Sequence, residues 1–168
     1  MVYDTFDAIA VKGTIQKAGR TLIIPGSAGR PGTAPGWVIT FDNKGSNHLP
    51  ASATASILNV PILNFNIGDI ITGFKVNGRM DSAGNTVTLN AKMDYNTFDA
   101  SSQTTTTIAT MDALSKTADY LVNDGVLVFP TPYTIAASQA IYLTINGTTA
   151  ATTTIDILSI EIYYNSNS

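Results

Sequence analysis

The stretch Ile70-Ile71-Thr72-Gly73-Phe74-Lys75-Val76-Asn77-Gly78-Arg79-Met80, a break at Asp81-Ser82-Ala83-Gly84-Asn85, and then Thr86-Val87-Thr88-Leu89-Asn90-Ala91-Lys92-Met93-Asp94-Tyr95 decide the fold class. Before the break, Ile70, Thr72, Phe74, Val76 and Met80 share one parity, and Lys75, Asn77 and Arg79 the other. After it, Val87, Leu89, Ala91, Met93 and Tyr95 alternate with Thr88, Asn90, Lys92 and Asp94. A period of two with one apolar face is the mark of a half-buried strand. The five-residue break predicts a long amphipathic β-hairpin. Asn77-Gly78 inside it marks a bulge or an alternative turn.

The same texture continues outward. Tyr120 to Tyr133 reads as a second hairpin about Asn123-Asp124-Gly125, with Pro130 and Pro132 ending the pairing or confining it to a sheet edge. A third hairpin is expected from Ile141 to Ile162, turning at Asn146 to Thr149. Ile155 and Ile157 share one parity there, and Leu158, Ile160 and Ile162 the other, which implies a bulge at Ile157-Leu158 or burial on both faces. Earlier strands are expected at Ala8–Ile15, Thr21–Ile24, Trp37–Asp42 and Ser56–Leu63, the last flawed by Pro61. Helix is nearly excluded, because glutamate is almost gone and threonine loses side-chain freedom in a helix. The weak candidate is Met111–Leu121.

These signals predict an all-β chain, a single jelly-roll-like antiparallel β-sandwich of about eight strands, with an immunoglobulin-like sandwich as the alternative. The 168 residues suit one structural domain. Within it, residues 1–36 read as an N-terminal strand and a Gly/Pro-rich arm or loop, and 37–168 as the sandwich. Pro25 to Gly36, PGSAGRPGTAPG, is expected not to form a ladder. Tyr3-Asp4-Thr5-Phe6-Asp7-Ala8 is echoed by Tyr95-Asn96-Thr97-Phe98-Asp99-Ala100, with no extension of the match.

Only 12% of residues are charged and the net charge is −3. That share is about half the usual one for a soluble domain. Binding phosphates needs clustered Lys and Arg, and the basic residues here are scattered, so no nucleic-acid partner is expected. No apolar run approaches the length of a membrane-spanning helix, so no membrane partner is expected either. Met1 to Lys17 has no basic and apolar leader pattern, so no cleavable secretory signal is expected. The absence of cysteine removes disulfides, thiolate nucleophiles and Cys-zinc sites together.

Few groups remain for chemistry. His48 is the one histidine and reads as a solvated loop residue; no Gly-x-Ser-x-Gly elbow supports a triad around it. Glu161 is the one glutamate and reads as part of a solvated strand face with nothing paired to it by spacing. Asp42–Asn47 and Asp81–Asn85 carry oxygen ligands but lack an EF-hand spacing, so turn chemistry explains both. Asn146-Gly147-Thr148 reads as an Asn-Gly turn, and Trp37 as a core anchor at a strand start. No catalytic residue, metal site or cofactor is expected, and the chain is read as no enzyme. Tyr163 and Tyr164 are adjacent on a strand, so at most one enters the core and the other is free for a subunit contact.

Ile67-Gly68-Asp69-Ile70-Ile71-Thr72-Gly73-Phe74-Lys75-Val76, followed by Val87-Thr88-Leu89-Asn90-Ala91-Lys92, then Ala140-Ile141-Tyr142-Leu143-Thr144-Ile145 and Ile155 to Tyr164, resembles the small β-sandwich proteins of tailed-bacteriophage virions. The resemblance is to capsid decoration (cement) proteins in particular. It covers residues 67–164 and is one of texture and strand order. It implies a non-enzymatic jelly-roll-like subunit, often a homotrimer. Such a subunit sits on the outer capsid surface of the virion, is made in the host cytoplasm, and bridges major capsid protein subunits. Within this reading the contact residues are Gly26, Arg30, Pro31, Gly32 and Pro35 of the arm, with Tyr163 and Tyr164. The alternative is a receptor- or carbohydrate-binding head of a phage tail fibre or appendage. A hydrolase on the same scaffold is disfavoured by the one-His, one-Glu inventory.

Overall fold

The alternating stretches become two antiparallel sheets packed face to face. A computed structural model of the chain describes residues 17–32, 36–40, 46–98 and 102–167. The described strands begin with β1 (Lys17–Pro25), β2 (Arg30–Pro31), β3 (Val38–Thr40), β4 (Ser46–Leu49) and β5 (Ser56–Ile62). Two long strands follow, β6 (Ile70–Asp81) and β7 (Val87–Phe98), then β8 (Gln103–Thr110), β9 (Leu114–Lys116) and β10 (Tyr120–Val126). β11 (Tyr133–Thr134), β12 (Gln139–Thr148) and β13 (Thr154–Ser166) complete them. Eight of these have seven residues or more, which matches the strand number expected of a jelly roll.

The first sheet runs β10-β6-β13-β4-β3, with β1 beside β13 and β11 beside β6. The second runs β2-β5-β12-β7-β8, with β9 also beside β7. Phe74, Val76, Met80, Ile155, Ile157, Ile160 and Ile162 face inward from the first sheet and Leu58, Val60, Leu89, Met93, Leu143 and Ile145 from the second, none more than 1% exposed. Each such side chain contributes about 1.5–3 kcal/mol by leaving water. One end of the core is closed by Tyr95 stacked on Tyr133 at 5.1 Å.

The inward alternation of Val87, Leu89, Ala91 and Met93 is as expected, but the pairing is not. β6 belongs to the first sheet and β7 to the second, so Ile70–Tyr95 is no hairpin. Its turn, closed by Asn85 N–H donating to Ser82 O at 2.8 Å, crosses between the sheets. Five residues span the roughly 10 Å gap between packed sheets easily. The third expected hairpin fails in the same way. β12 pairs with β5 and β7, whereas β13 pairs with β6, β4 and β1. Asn146 and Gly147 lie within β12, and the chain turns after Thr148. The second expected hairpin is also absent. β10 passes straight through Asn123-Asp124-Gly125, opposite Asn77, Val76 and Lys75 of β6. Gly125 serves close approach there, because a Cβ would lie 2.2 Å from Phe74 O.

Other readings divide similarly. The parity change at Ile157-Leu158 is a bulge, since Ile157 lies opposite Gly78 and Ser159 opposite Asn77, leaving Leu158 over. A second irregularity at Thr72 puts Ile71, rather than Ile70 and Thr72, in the core. Met111–Leu121 is no helix; it holds β9 and the start of β10. The threonine run of β8, unforeseen from sequence, is the hairpin partner of β7. Pro61 is tolerated because β2 reaches only Leu58 and Asn59 of β5, leaving no strand outside Pro61 among the described residues. Trp37 is a core residue, 2% exposed, with Nε1–H donating to Ser56 O at 3.0 Å. Ala8–Ile15 and the first copy of the echoed hexapeptide lie outside the described residues, and Tyr95–Phe98 ends β7.

Candidate interaction surfaces

The stretch expected not to form a ladder does form a short one. After β1, residues 26–28 make a single 3-10 turn and the chain crosses to the second sheet. Gly26 is buried; a Cβ there would lie 1.9 Å from Ile157 O, so only glycine fits. Asn47 Nδ2 of β4 donates to Gly26 O and, at 3.3 Å, to Gly29 O. Sequence reading missed Asn47, whose role depends on a neighbour 21 positions away. Arg30 and Pro31 lie opposite Asn59 and Leu58, and Gly32 N–H donates to Ile57 O at 2.8 Å. Arg30, Pro31 and Gly32 are exposed at this margin, and Pro35 lies outside the described residues.

Tyr163 and Tyr164 stand elsewhere, opposite Thr21 and Arg20 of β1, so the structure does not gather the arm and the tyrosines into one patch. Both rings are half-buried. Tyr164 packs edge-on against Phe65 at 4.7 Å. Tyr163 O–H donates to Glu161 Oε2 at 2.9 Å. Glu161 is not unpaired, as spacing suggested. Lys75 Nζ lies 2.9 Å from its Oε1 and Asn77 Nδ2 donates to the same oxygen at 2.8 Å. The register of β6 and β13 sets Lys75 directly opposite Glu161, a cross-strand relation that sequence separation hides. Lys75, then Asn77, hold the Glu161 carboxyl below its ordinary pKa, and Glu161 raises the Lys75 ammonium. Burial, then Glu161, raises the Tyr163 phenol.

His48 is likewise corrected from a loop to β4. Its Nδ1 is 2.8 Å from Asp156 Oδ1, its cross-strand neighbour on β13. Arg79 bridges Asp81 at 3.3 Å and Asp119 at 3.5 Å. Asp119 also accepts from Ser82 N–H at 3.1 Å, the main cause that lowers its carboxyl. His48, Asp156, Lys75, Glu161, Arg79 and Asp81 of the first sheet are therefore all paired. Among the described residues, no three His, Cys, Asp or Glu gather in a way that could hold a metal ion.

The outer face of the second sheet is built from amides and hydroxyls around one carboxylate. Asp94 is 1% exposed although it points away from the core. It accepts from Thr107 Oγ1 at 2.6 Å and Thr144 Oγ1 at 3.4 Å, and lies 3.1 Å from Lys92 Nζ. Beside it Asn96 Oδ1 accepts from Thr105 at 2.7 Å and from Tyr142 O–H at 3.1 Å. A shallow cleft of about 180 Å³ opens next to this group, lined among others by Asn90, Lys92, Thr110, Thr144 and Asn146.

Apolar side chains are exposed along the β10 margin of the first sheet. Leu121 on β10 is 76% exposed, and Leu127 and Val128 just beyond it 55% and 78%. β10 pairs on one side with β6 and has no strand on its other side among the described residues.

No family model matches the chain, and no curated protein matches it. Solved structures do. The chain is similar to the CBM22-1–GH10 modules of endo-1,4-beta-D-xylanase 10B (Xyn10B) from Clostridium thermocellum, complexed with xylohexaose, at a TM-score of 0.50 and 12% identity. That match covers 91% of this chain and 29% of the xylanase chain. It is also similar to the CBM36-1 domain of a multidomain xylanase from the hindgut metagenome of Trinervitermes trinervoides, at a TM-score of 0.45 and 11% identity, covering 85% of this chain and 96% of that one. A third match is the structure of the infectious bursal disease virus Gx strain, at a TM-score of 0.35 and 15% identity, covering 92% and 34%. At such identities a likeness concerns the fold alone. With two packed antiparallel sheets of the strand order above, the chain is a jelly-roll-like β-sandwich.

Proposed function

We propose that this chain is a non-enzymatic structural subunit of a virion, a capsid decoration or cement protein. It would bridge major capsid subunits on the outer capsid surface and associate with itself, as a homotrimer in the resembling family. The observation that carries this reading is the margin of the first sheet. Leu121, Leu127 and Val128 stand in water next to a strand whose outer backbone has no partner among the described residues. Sheet edges in soluble monomers are normally short, charged or covered, and exposed apolar residues beside a free edge mark a contact surface. Several charged groups of the first sheet, meanwhile, are spent on ion pairs within it. A partner that binds only the assembled shell stabilises that shell by linkage. The test is to add the purified protein to shells that lack it. Binding at a copy number matched to the lattice, with a raised shell melting temperature, is expected, and Leu127→Glu with Val128→Glu should abolish both while the subunit stays folded. Shells that neither bind it nor melt later would overturn the reading.

The second reading, a carbohydrate-binding head, is favoured by one observation: the amide and hydroxyl surface around Asp94 and its cleft. Glycan-array binding that Asn90→Ala weakens, with no effect of the Leu127 and Val128 changes, would select it over the first.

A further inference from the structure

Among the described residues, β8 is the outermost strand of the second sheet and pairs with β7 alone. Its sequence is Gln103-Thr104-Thr105-Thr106-Thr107-Ile108-Ala109-Thr110, without charge, proline or glycine. Gln103 to Thr107 are exposed throughout and stay in unbroken register with Phe98 to Asp94; the one irregularity comes after Thr107. Every other strand margin among the described residues is short or carries charge, proline or glycine. β2 is two residues long and holds Arg30 and Pro31, β3 has three residues, and β10 contains Asp124 and Gly125. Proteins avoid leaving a flat, uncharged edge unprotected, since it is a template for another strand.

The chemistry of this edge selects its occupant. We propose that β8 pairs antiparallel with β8 of a second copy about a two-fold axis centred near Thr105, joining two second sheets into one. An antiparallel strand that meets its own copy sets Gln103 against Thr107, Thr104 against Thr106 and Thr105 against itself. No like charges meet, and threonine pairs across strands favourably. β8 itself carries no acidic residue, and Asp94, which Thr107 touches, is paired with Lys92. The strand is also ordered in advance, because Thr105 and Thr107 are already tied to Asn96 and Asp94. An isologous contact of this kind closes on itself. It doubles whatever ring the subunit forms through other surfaces, and it uses the edge of the second sheet, whereas the proposed shell contact uses β10 of the first.

Light scattering over a concentration series tests it. The wild-type mass should double with concentration. T104K with T106K sets ammonium groups against ammonium groups and should hold the mass at half that value; T104E with T106E should do the same. Mixing the two variants one to one should restore the doubled mass. Because the chain has no cysteine, T105C should also form a disulfide-linked pair on oxidation, whereas L121C should not. That measurement decides the matter should the charged variants melt early. A wild type that never doubles, a doubling indifferent to the lysines, or a T105C chain that stays single would each overturn the proposal.

Discussion

Between β6 and β13 the two backbones come so close that a Cβ on Gly78 would lie 2.1 Å from Asp156 O. Between β7 and β8 the outward-facing contacts are side chains, Thr107 on Asp94 and Thr105 on Asn96. The first pair lies inside a sheet, with β10 beyond β6 and β4 and β1 beyond β13; the second ends a sheet among the described residues. The difference is one of tolerance. A backbone contact has no room to yield, and every outward shift of β13 also drags Ile157 and Ile160 from the core. A side-chain contact can be cut and leave the ladder behind it standing.

That contrast is open to direct attack. Gly78→Val should cost about 4 kcal/mol or more, or prevent folding, because a buried backbone clash belongs to the few mechanisms with effects of that size. Urea denaturation followed by circular dichroism measures it, and a loss below about 1 kcal/mol would show that β13 can move aside. Asp94→Ala should cost about 2 kcal/mol, in the range of hydrogen bonds to a charged group. Amide exchange should then quicken along β8 and stay unchanged along β6; equal acceleration in both would erase the distinction between centre and margin.

The smallest effect is expected at the exposed face of the central pair. Glu161 has its pKa lowered below the usual 4.5, chiefly by Lys75. Its contribution is therefore present above the unfolded value and is lost as pH falls through the folded one. Glu161→Gln should remove only that acid-side loss, leaving stability at neutral pH little changed, since Glu161 is 22% exposed and such pairs are weak. Thermal melting between pH 7 and about pH 3 reads this out. A variant with the same acid slope as the wild type would show that the pair adds nothing.

The long strands and their buried faces were legible in sequence wherever polar and apolar residues alternate. Val87 to Met93 and Ile141 to Ile145 are the clear cases, and the bulge after Ile157 showed as a broken parity. β8 was illegible for the opposite reason: five of its eight residues are threonine, so neither face stands out. Among the candidate contact residues, Arg30, Pro31 and Gly32 proved exposed at a sheet margin. Gly26 proved a buried fixture held by Asn47. The partners of Glu161 and His48 were hidden because each sits across a ladder, 86 positions away at Lys75 and 108 away at Asp156.

By itself the sequence determined that the chain is all-β, most of the inward-pointing residues of its alternating strands, and how few groups are left for chemistry. Side-chain alternation reports the face a strand buries, because successive Cβ atoms point to opposite sides. It carries no record of which strand lies alongside. Only the tertiary structure decided that Ile70–Asp81 and Val87–Phe98 face each other across the core instead of pairing edge to edge. The reason is physical: the same five-residue turn and the same buried face satisfy both arrangements. What separates them is the long-range register of β6 with β13 and β10, and of β7 with β12 and β8.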